Sequence, residues 1–129
     1  MFDIDLMSRT PIYEQLYRRV IELIMKGVLK EQDKLPSVRS LATDLGVNPN
    51  TVAKAYTLLE RDGIIHSLAG RGSFVSKPDT LFAQEHILSD FDDAVTRALE
   101  VGIQKDALHA RIDGLADSAD SDTKEDTSL

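Results

Sequence analysis

Three clusters carry side chains able to do chemistry. In Asn48-Pro49-Asn50-Thr51 and Lys54, two amides, a hydroxyl and an ammonium follow one another over about two helical turns. These groups suit base edges: Asn pairs bidentately with adenine, Lys donates to guanine, and the Thr methyl meets the methyl of thymine. In Gly70-Arg71-Gly72 a guanidinium stands between two residues without side chains. The glycines let the backbone come close to a partner, and Arg71 is suited to a narrow minor groove. The third cluster is His66, His86 and His109, with His86 and Asp90 one helical turn apart, a spacing that can hold a metal. The plainer reading is three surface or half-buried imidazoles, and no metal site is expected. The chain has no cysteine, which excludes disulfides, thiolate zinc sites and cysteine nucleophiles. It has no glycine-rich phosphate loop and no nucleophile elbow, and Asp92 and Asp93 are adjacent, so on a helix they diverge by about 100°. An enzyme is not expected.

The chain has 129 residues, of which 42% are hydrophobic, enough for one small domain and an accessory piece. No apolar run approaches the roughly 18 residues of a membrane span. The start, MFDIDLMSRT, has no basic patch before an apolar core, so no secretory signal is expected and a cytoplasmic location is. The formal charge of −7 hides a split: residues 1–77 carry a net +2 and residues 78–129 a net −9. Only the first segment can bind a polyanion.

Thr10-Pro11 reads as a cap and first-turn proline, and Ile12, Leu16, Val20, Leu23 and Ile24 recur at helical spacing, so a helix is expected from Pro11 to Lys26. Lys30 to Lys34 reads as a turn. Ser37 caps the next helix, whose inner face is Val38, Leu41, Ala42 and Leu45 and which Gly46 ends. Asn48-Pro49 opens a third, with Val52, Ala55 and Leu59 inward and Asn50, Lys54, Thr57 and Arg61 outward. Two short helices joined by so short a turn make a helix-turn-helix. Ile64–Ser67 and Ser73–Ser76 flank a glycine-bearing loop and read as a hairpin, the wing. Beyond Pro78, Leu81, Leu88 and Val95 are spaced by seven, as are Gln84, Phe91 and Ala98, a partial heptad seam. Gly102 breaks it, and Ala107, Leu108, Ile112 and Leu115 give a shorter helix. From Asp117 the chain is acidic and nearly free of apolar residues, so a mobile tail is expected. The expected architecture is mostly α with a small hairpin: a winged helix-turn-helix domain at 1–77, a two-helix segment at 78–116 and an acidic tail at 117–129.

Four stretches in fixed order now carry a resemblance. Leu35-Pro36-Ser37-Val38-Arg39-Ser40-Leu41-Ala42, Gly46 to Tyr56, Leu59-Glu60-Arg61-Asp62-Gly63-Ile64-Ile65 and Gly70-Arg71-Gly72-Ser73-Phe74-Val75 resemble the DNA-binding domain of GntR-type bacterial transcription regulators. The short C-terminal piece and the Asn-Pro-Asn-Thr-Val helix start are similar to the YtrA subfamily, in which two helices replace a large effector domain. The resemblance implies no cofactor, since the chain has no room for the aminotransferase-like domain with which another branch binds pyridoxal phosphate. It also implies a repressor. The family usually has a glycine in the turn before Leu-Pro-Ser, whereas Glu31-Gln32-Asp33-Lys34 stands here. If the turn needs a positive φ, Gln32 or Asp33 bears the strain.

A recognition helix reads bases with its N-terminal residues, which puts Asn50, Thr51 and Lys54 nearest the groove floor. Asn48 is a cap at that helix start. Ser37, at another helix N-terminus, suits a phosphate. The resemblance implies that Arg39 reaches the DNA. Tyr56 is also a family position, either giving its hydroxyl to phosphate or packing its ring. Gly70 and Arg71 complete the expected set. A homodimer on a palindromic double-stranded operator is expected, joined through Leu81, Leu88, Phe91, Val95 and Leu99, which should bury against Leu108 and Ile112 and against a partner chain. A small-molecule effector would sit between the C-terminal helices and the winged domain, near Tyr13, Tyr17 or Arg97. Two other classes remain: an RNA-binding winged helix, against which the lack of exposed aromatic stacking pairs counts, and a protein-interaction module without operator specificity.

Overall fold

A computed structural model describes the backbone of residues 1–127 and the side chains of residues 1–120. The order of elements is α1 (Ile12–Met25), α2 (Val38–Leu45), α3 (Pro49–Arg61), β1 (Ile65–Leu68), β2 (Gly72–Val75), α4 (Thr80–Glu100) and α5 (Lys105–Thr127). The chain divides into two units, Met1–Gln84 and Glu85–Leu129. The first is the head, three helices with a two-stranded antiparallel wing.

The head's core follows from helical period. Leu16, Val20 and Leu23 recur on one face of α1, and Tyr17 and Ile21 widen it. Val52, Ala55 and Leu59 of α3 are fully buried, and Leu41 and Ala42 of α2 close over them. Ile65 and Val75, paired across the hairpin, seal the remaining side. Full burial of each large aliphatic side chain stabilises by about 1.5–3 kcal/mol.

The start of α1 differs from the expectation. Thr10 is not its cap: Pro11 takes that position, without a side-chain cap bond, and the helix begins at Ile12. Gln15 explains the difference, because its amide Nε2 donates to the Thr10 carbonyl (2.8 Å) and to the Asp5 carbonyl (3.0 Å), tying the leading segment to the helix. Between α2 and α3 the expected chemistry is present. Ser37 Oγ accepts from the Ser40 amide at 3.1 Å. Gly46 ends α2 with φ 69°, a left-handed conformation that only glycine adopts without strain, and the Val47 amide returns to the Ala42 carbonyl at 3.0 Å. Asn48 Oδ1 then accepts from the Asn50 amide at 2.8 Å.

The hairpin is offset from its expected bounds. Ile64 stays outside the strand because its amide closes α3 on the Leu59 carbonyl at 2.9 Å. The register runs Ile65 to Val75 and Leu68 to Gly72. The segment expected as a plain turn does more. Lys34 forms an isolated bridge to Phe74, and the Leu35 amide donates to the Ser73 carbonyl at 2.9 Å. Within this segment Gln32 has φ 73°, and it is the one non-glycine residue described with positive φ. Of the two residues on which strain was expected, it falls on Gln32.

Two findings concern the second half. α5 continues past Asp117, where a mobile tail was expected, to Thr127. Once a helix is nucleated, each added residue gains a hydrogen bond for little further entropy, and Ala116 and Ala119 favour propagation. The tail's last two residues, and its side chains from 121 on, lie outside the described residues. Much of the apolar stripe of α4 is exposed within the single chain. Leu88, Phe91 and Leu99 remain 39–51% exposed, and Ile112 of α5 is 44% exposed. The divide after Gln84 leaves Ala83 in the head, buried in its core. Among the described residues no helix is long and apolar enough to cross a membrane.

Replacing Gln32 by glycine removes the left-handed penalty and keeps the backbone bond to Val75. Gln32→Gly is expected to stabilise the head by about 1 kcal/mol, read as a higher urea midpoint at unchanged slope. A lower midpoint would show that the turn carries no strain.

Candidate nucleic-acid interface

The first turn of α3 presents polar groups whose bonding is half used. Asn48 spends its oxygen on the Asn50 amide, which leaves its Nδ2 hydrogens to donate outward. Asn50 and Lys54 are exposed and Thr51 is half-buried, opposite the sealed Val52–Ala55–Leu59 face. Ser37 is in the same condition as Asn48: its oxygen accepts the Ser40 amide and its hydroxyl hydrogen remains available. That hydroxyl stands at the N-terminus of α2, where unpaired amides and the positive end of the helix dipole favour an anion. Arg39, one residue into α2, is exposed. Its side chain enters none of the hydrogen bonds or ion pairs among the described residues.

Tyr56, for which two roles were open, packs its ring. It is 7% exposed, and its hydroxyl donates to the Pro36 carbonyl at 2.6 Å. A hydroxyl has one proton to give, so no donor is left for phosphate. Burial pushes the Tyr56 pKa up to about 12. Tyr56 thereby ties α3 to the residue before the Ser37 cap.

At the wing tip Gly70, Arg71 and Gly72 are exposed. The Arg71 amide donates to the Leu68 carbonyl at 2.9 Å, closing the loop, and its guanidinium is unengaged among the described residues. Sequence reading missed Lys34. The bridge to Phe74 brings its side chain across Gly72, where an added Cβ would lie 3.1 Å from Lys34 Cε. The wing therefore has a second cation next to Arg71. Nothing local in Lys30–Lys34 signals a long-range pairing.

Arg61, expected on the outward side of α3, pairs with Asp62 at 3.0 Å. Asp62 also accepts from the Tyr17 hydroxyl at 2.5 Å. Burial first, then this bond, raises the Tyr17 pKa above the usual phenol range. Tyr13, on the first turn of α1, carries the Lys54 ammonium over its ring, with Nζ 3.9 Å from the centroid. Of the three residues expected near an effector, both tyrosines are engaged within the head and Arg97 belongs to the second unit. A small apolar cleft in the head, lined by Ile21, Ile24, Ile64, Phe82 and Ala83 with Asp62 at its edge, includes none of them. Of the residues expected at a dimer contact, Leu81 lies in the head and is 74% exposed. Leu88, Phe91, Val95, Leu99, Leu108 and Ile112 lie in the second unit, with Val95 and Leu108 half-buried. Among the described residues no group of three or more His, Asp or Glu could hold a metal.

Residues 12–75 match the family described as bacterial regulatory proteins, gntR family. Over 77 residues the chain is 57% identical to the HTH-type transcriptional repressor YtrA of Bacillus subtilis (strain 168), covering 60% of this chain and 59% of that protein. The match thus spans less than two thirds of that relative. A GntR family transcriptional regulator from Listeria monocytogenes is 30% identical, with a TM-score of 0.73 over 86% of this chain and 98% of its own. AraR(DBD), solved in complex with operator ORX1, is 28% identical, with a TM-score of 0.51 over 57% of this chain and 92% of its own.

Removing the Tyr56 hydroxyl leaves the Pro36 carbonyl unsatisfied, and Tyr56→Phe is expected to lose about 1–3 kcal/mol of stability at neutral pH. The alkaline limb carries the signature. The unfolded phenol ionises near pH 10 and the folded one near 12, so this contribution is complete below pH 10 and is lost as pH rises toward 12. Wild type should lose stability more steeply than Tyr56→Phe over that window, as measured by denaturant titration. Parallel curves would refute a buried, bonded Tyr56.

Proposed function

The chain belongs to the gntR family of bacterial regulatory proteins, DNA-binding transcription regulators, and on that premise we propose that it represses transcription by gripping a palindromic operator as a homodimer. The observation that carries this reading is the outer face of α3 together with the capped start of α2. Asn50 and Lys54 are exposed, Asn48 and Ser37 keep outward-facing hydrogens, and Arg39 is unengaged among the described residues. Asn50, Thr51 and Lys54 contact base edges. Ser37 and Arg39 contact the sugar-phosphate backbone. Arg71, between Gly70 and Gly72, enters the minor groove. Repression is supported by the relative named a transcriptional repressor, and an operator by AraR(DBD) in complex with one.

The dimer is supported by surface left uncovered in the single chain. Leu88, Phe91 and Leu99 of α4 and Ile112 of α5 are large apolar side chains held in water, and burial against the same elements of a second copy removes that penalty. Two heads then read half-sites about 34 Å apart, one turn of duplex. The net −9 of residues 78–129 disfavours contact with phosphate. Induction follows if an effector prefers one arrangement of the two heads over the other.

Selection from random duplex DNA is expected to return a palindrome. On that operator Lys54→Ala should weaken binding about 5- to 100-fold and relax preference at one base. Arg39→Ala should weaken all sequences alike and reduce the slope of log affinity against log salt by about 1. If neither substitution alters affinity, the protein-interaction reading replaces this one. Sedimentation should find a dimer at micromolar concentration and a monomer for Phe91→Asp.

A further inference from the structure

Lys54 is exposed on the second turn of α3, yet its ammonium is not dispersed in solvent. Its Nζ lies 3.9 Å from the centre of the Tyr13 ring. Tyr13 comes from the first turn of α1, 41 positions earlier in the chain, and its ring is half-buried against the head's core. A lysine side chain has four rotatable bonds and a compact charge, so by itself it samples a wide volume. The negative face of an aromatic ring restricts the ammonium to one region. The Tyr13 hydroxyl enters none of the hydrogen bonds among the described residues, so only the ring face is in use. Meanwhile α1 and α3 are packed through Leu16, Val20, Val52 and Leu59, which makes the ring a fixed platform for α3.

We propose that Tyr13 is a positioning residue for DNA recognition: its ring holds the Lys54 ammonium in a restricted place before the operator arrives, so the lysine loses less freedom when it donates to a base. The inference rests on the reading of Lys54 as a base contact. Tyr13 touches no DNA in this account. It acts on affinity and base preference through one neighbouring cation. Holding the lysine also limits its reach toward other bases, and discrimination at that one position depends on the ring.

A double-mutant cycle on the full-length chain tests this, with binding to the selected operator as the readout. Tyr13→Leu is expected to lower operator affinity about two- to five-fold and to loosen preference at the base that Lys54 reads. Tyr13→Phe keeps the ring face and should stay within about two-fold of wild type. In a Lys54→Ala background, Tyr13→Leu should have no further effect. An equal loss in both backgrounds overturns the assignment, because the ring would then serve only to fold the head. If Lys54→Ala alone leaves binding unchanged, the base-contact reading falls and takes this inference with it. Should Tyr13→Leu fail to fold, NMR of the wild-type chain decides. The Lys54 Hε protons are expected upfield by ring current, and ordinary solvent-exposed lysine shifts would overturn the proposal.

Discussion

Everything offered on the exposed side of α3 depends on what is sealed on its other side. Val52, Ala55 and Leu59 have no exposure at all, and they fix the rotation of the helix about its axis. A small residue at Ala55 lets the neighbouring helices come close, and a larger one would overpack the contact. With the rotation fixed, the helical period leaves Asn50 and Lys54 no choice of direction. Three short-range ties then set the angle to α2: the left-handed Gly46, the Asn48 cap and the Tyr56 hydroxyl on Pro36. Rigidity in this seat matters because a base contact displaced by an ångström loses its hydrogen-bond geometry.

What the sequence made legible is what depends on near neighbours. Ser37 with Ser40, and Asn48 with Asn50, are caps spanning two or three residues, and Gly46 announces a helix end by itself. The inward positions of α3 could be counted by period, so the exposure of Asn50, Lys54 and Arg61 came with them. The strain at Gln32 was legible only against the family's glycine. The contacts that escaped join distant positions. Tyr17 meets Asp62 across 45 residues, and Lys34 pairs with Phe74 across the whole helix-turn-helix. Neither leaves a periodic trace. The run of α5 past Asp117 escaped for another reason: polar composition argues against a packed core, not against helical hydrogen bonds.

The second unit shows the same logic at the scale of the assembly. Leu88, Phe91 and Leu99 have the spacing of a buried face and stay substantially exposed. By helical period Asp92 flanks the face of Leu88, Phe91 and Val95, whereas Asp90 and Asp93 fall on the other side of α4. Composition alone reported only an acidic segment.

The wing and the turn before α2 are one structural piece. A two-stranded hairpin is marginal in water by itself, and β1 and β2 have only four residues each. The Gln32 amide donates to the Val75 carbonyl at 2.8 Å, the Val75 amide to the Asp33 carbonyl at 2.9 Å, and the Leu35 amide to the Ser73 carbonyl at 2.9 Å. Those three bonds lend the hairpin the third strand it lacks, and they offset the left-handed backbone at Gln32. They also carry Lys34 across Gly72, where any side chain would press on it. The same short segment leads directly into Pro36, which receives the Tyr56 hydroxyl, and Ser37, which caps α2. The wing base is thus joined to the α2 N-terminus through a continuous hydrogen-bonded segment. The wing-tip backbone and the Ser37 cap are linked through this segment by backbone hydrogen bonds, which no side-chain pattern would disclose.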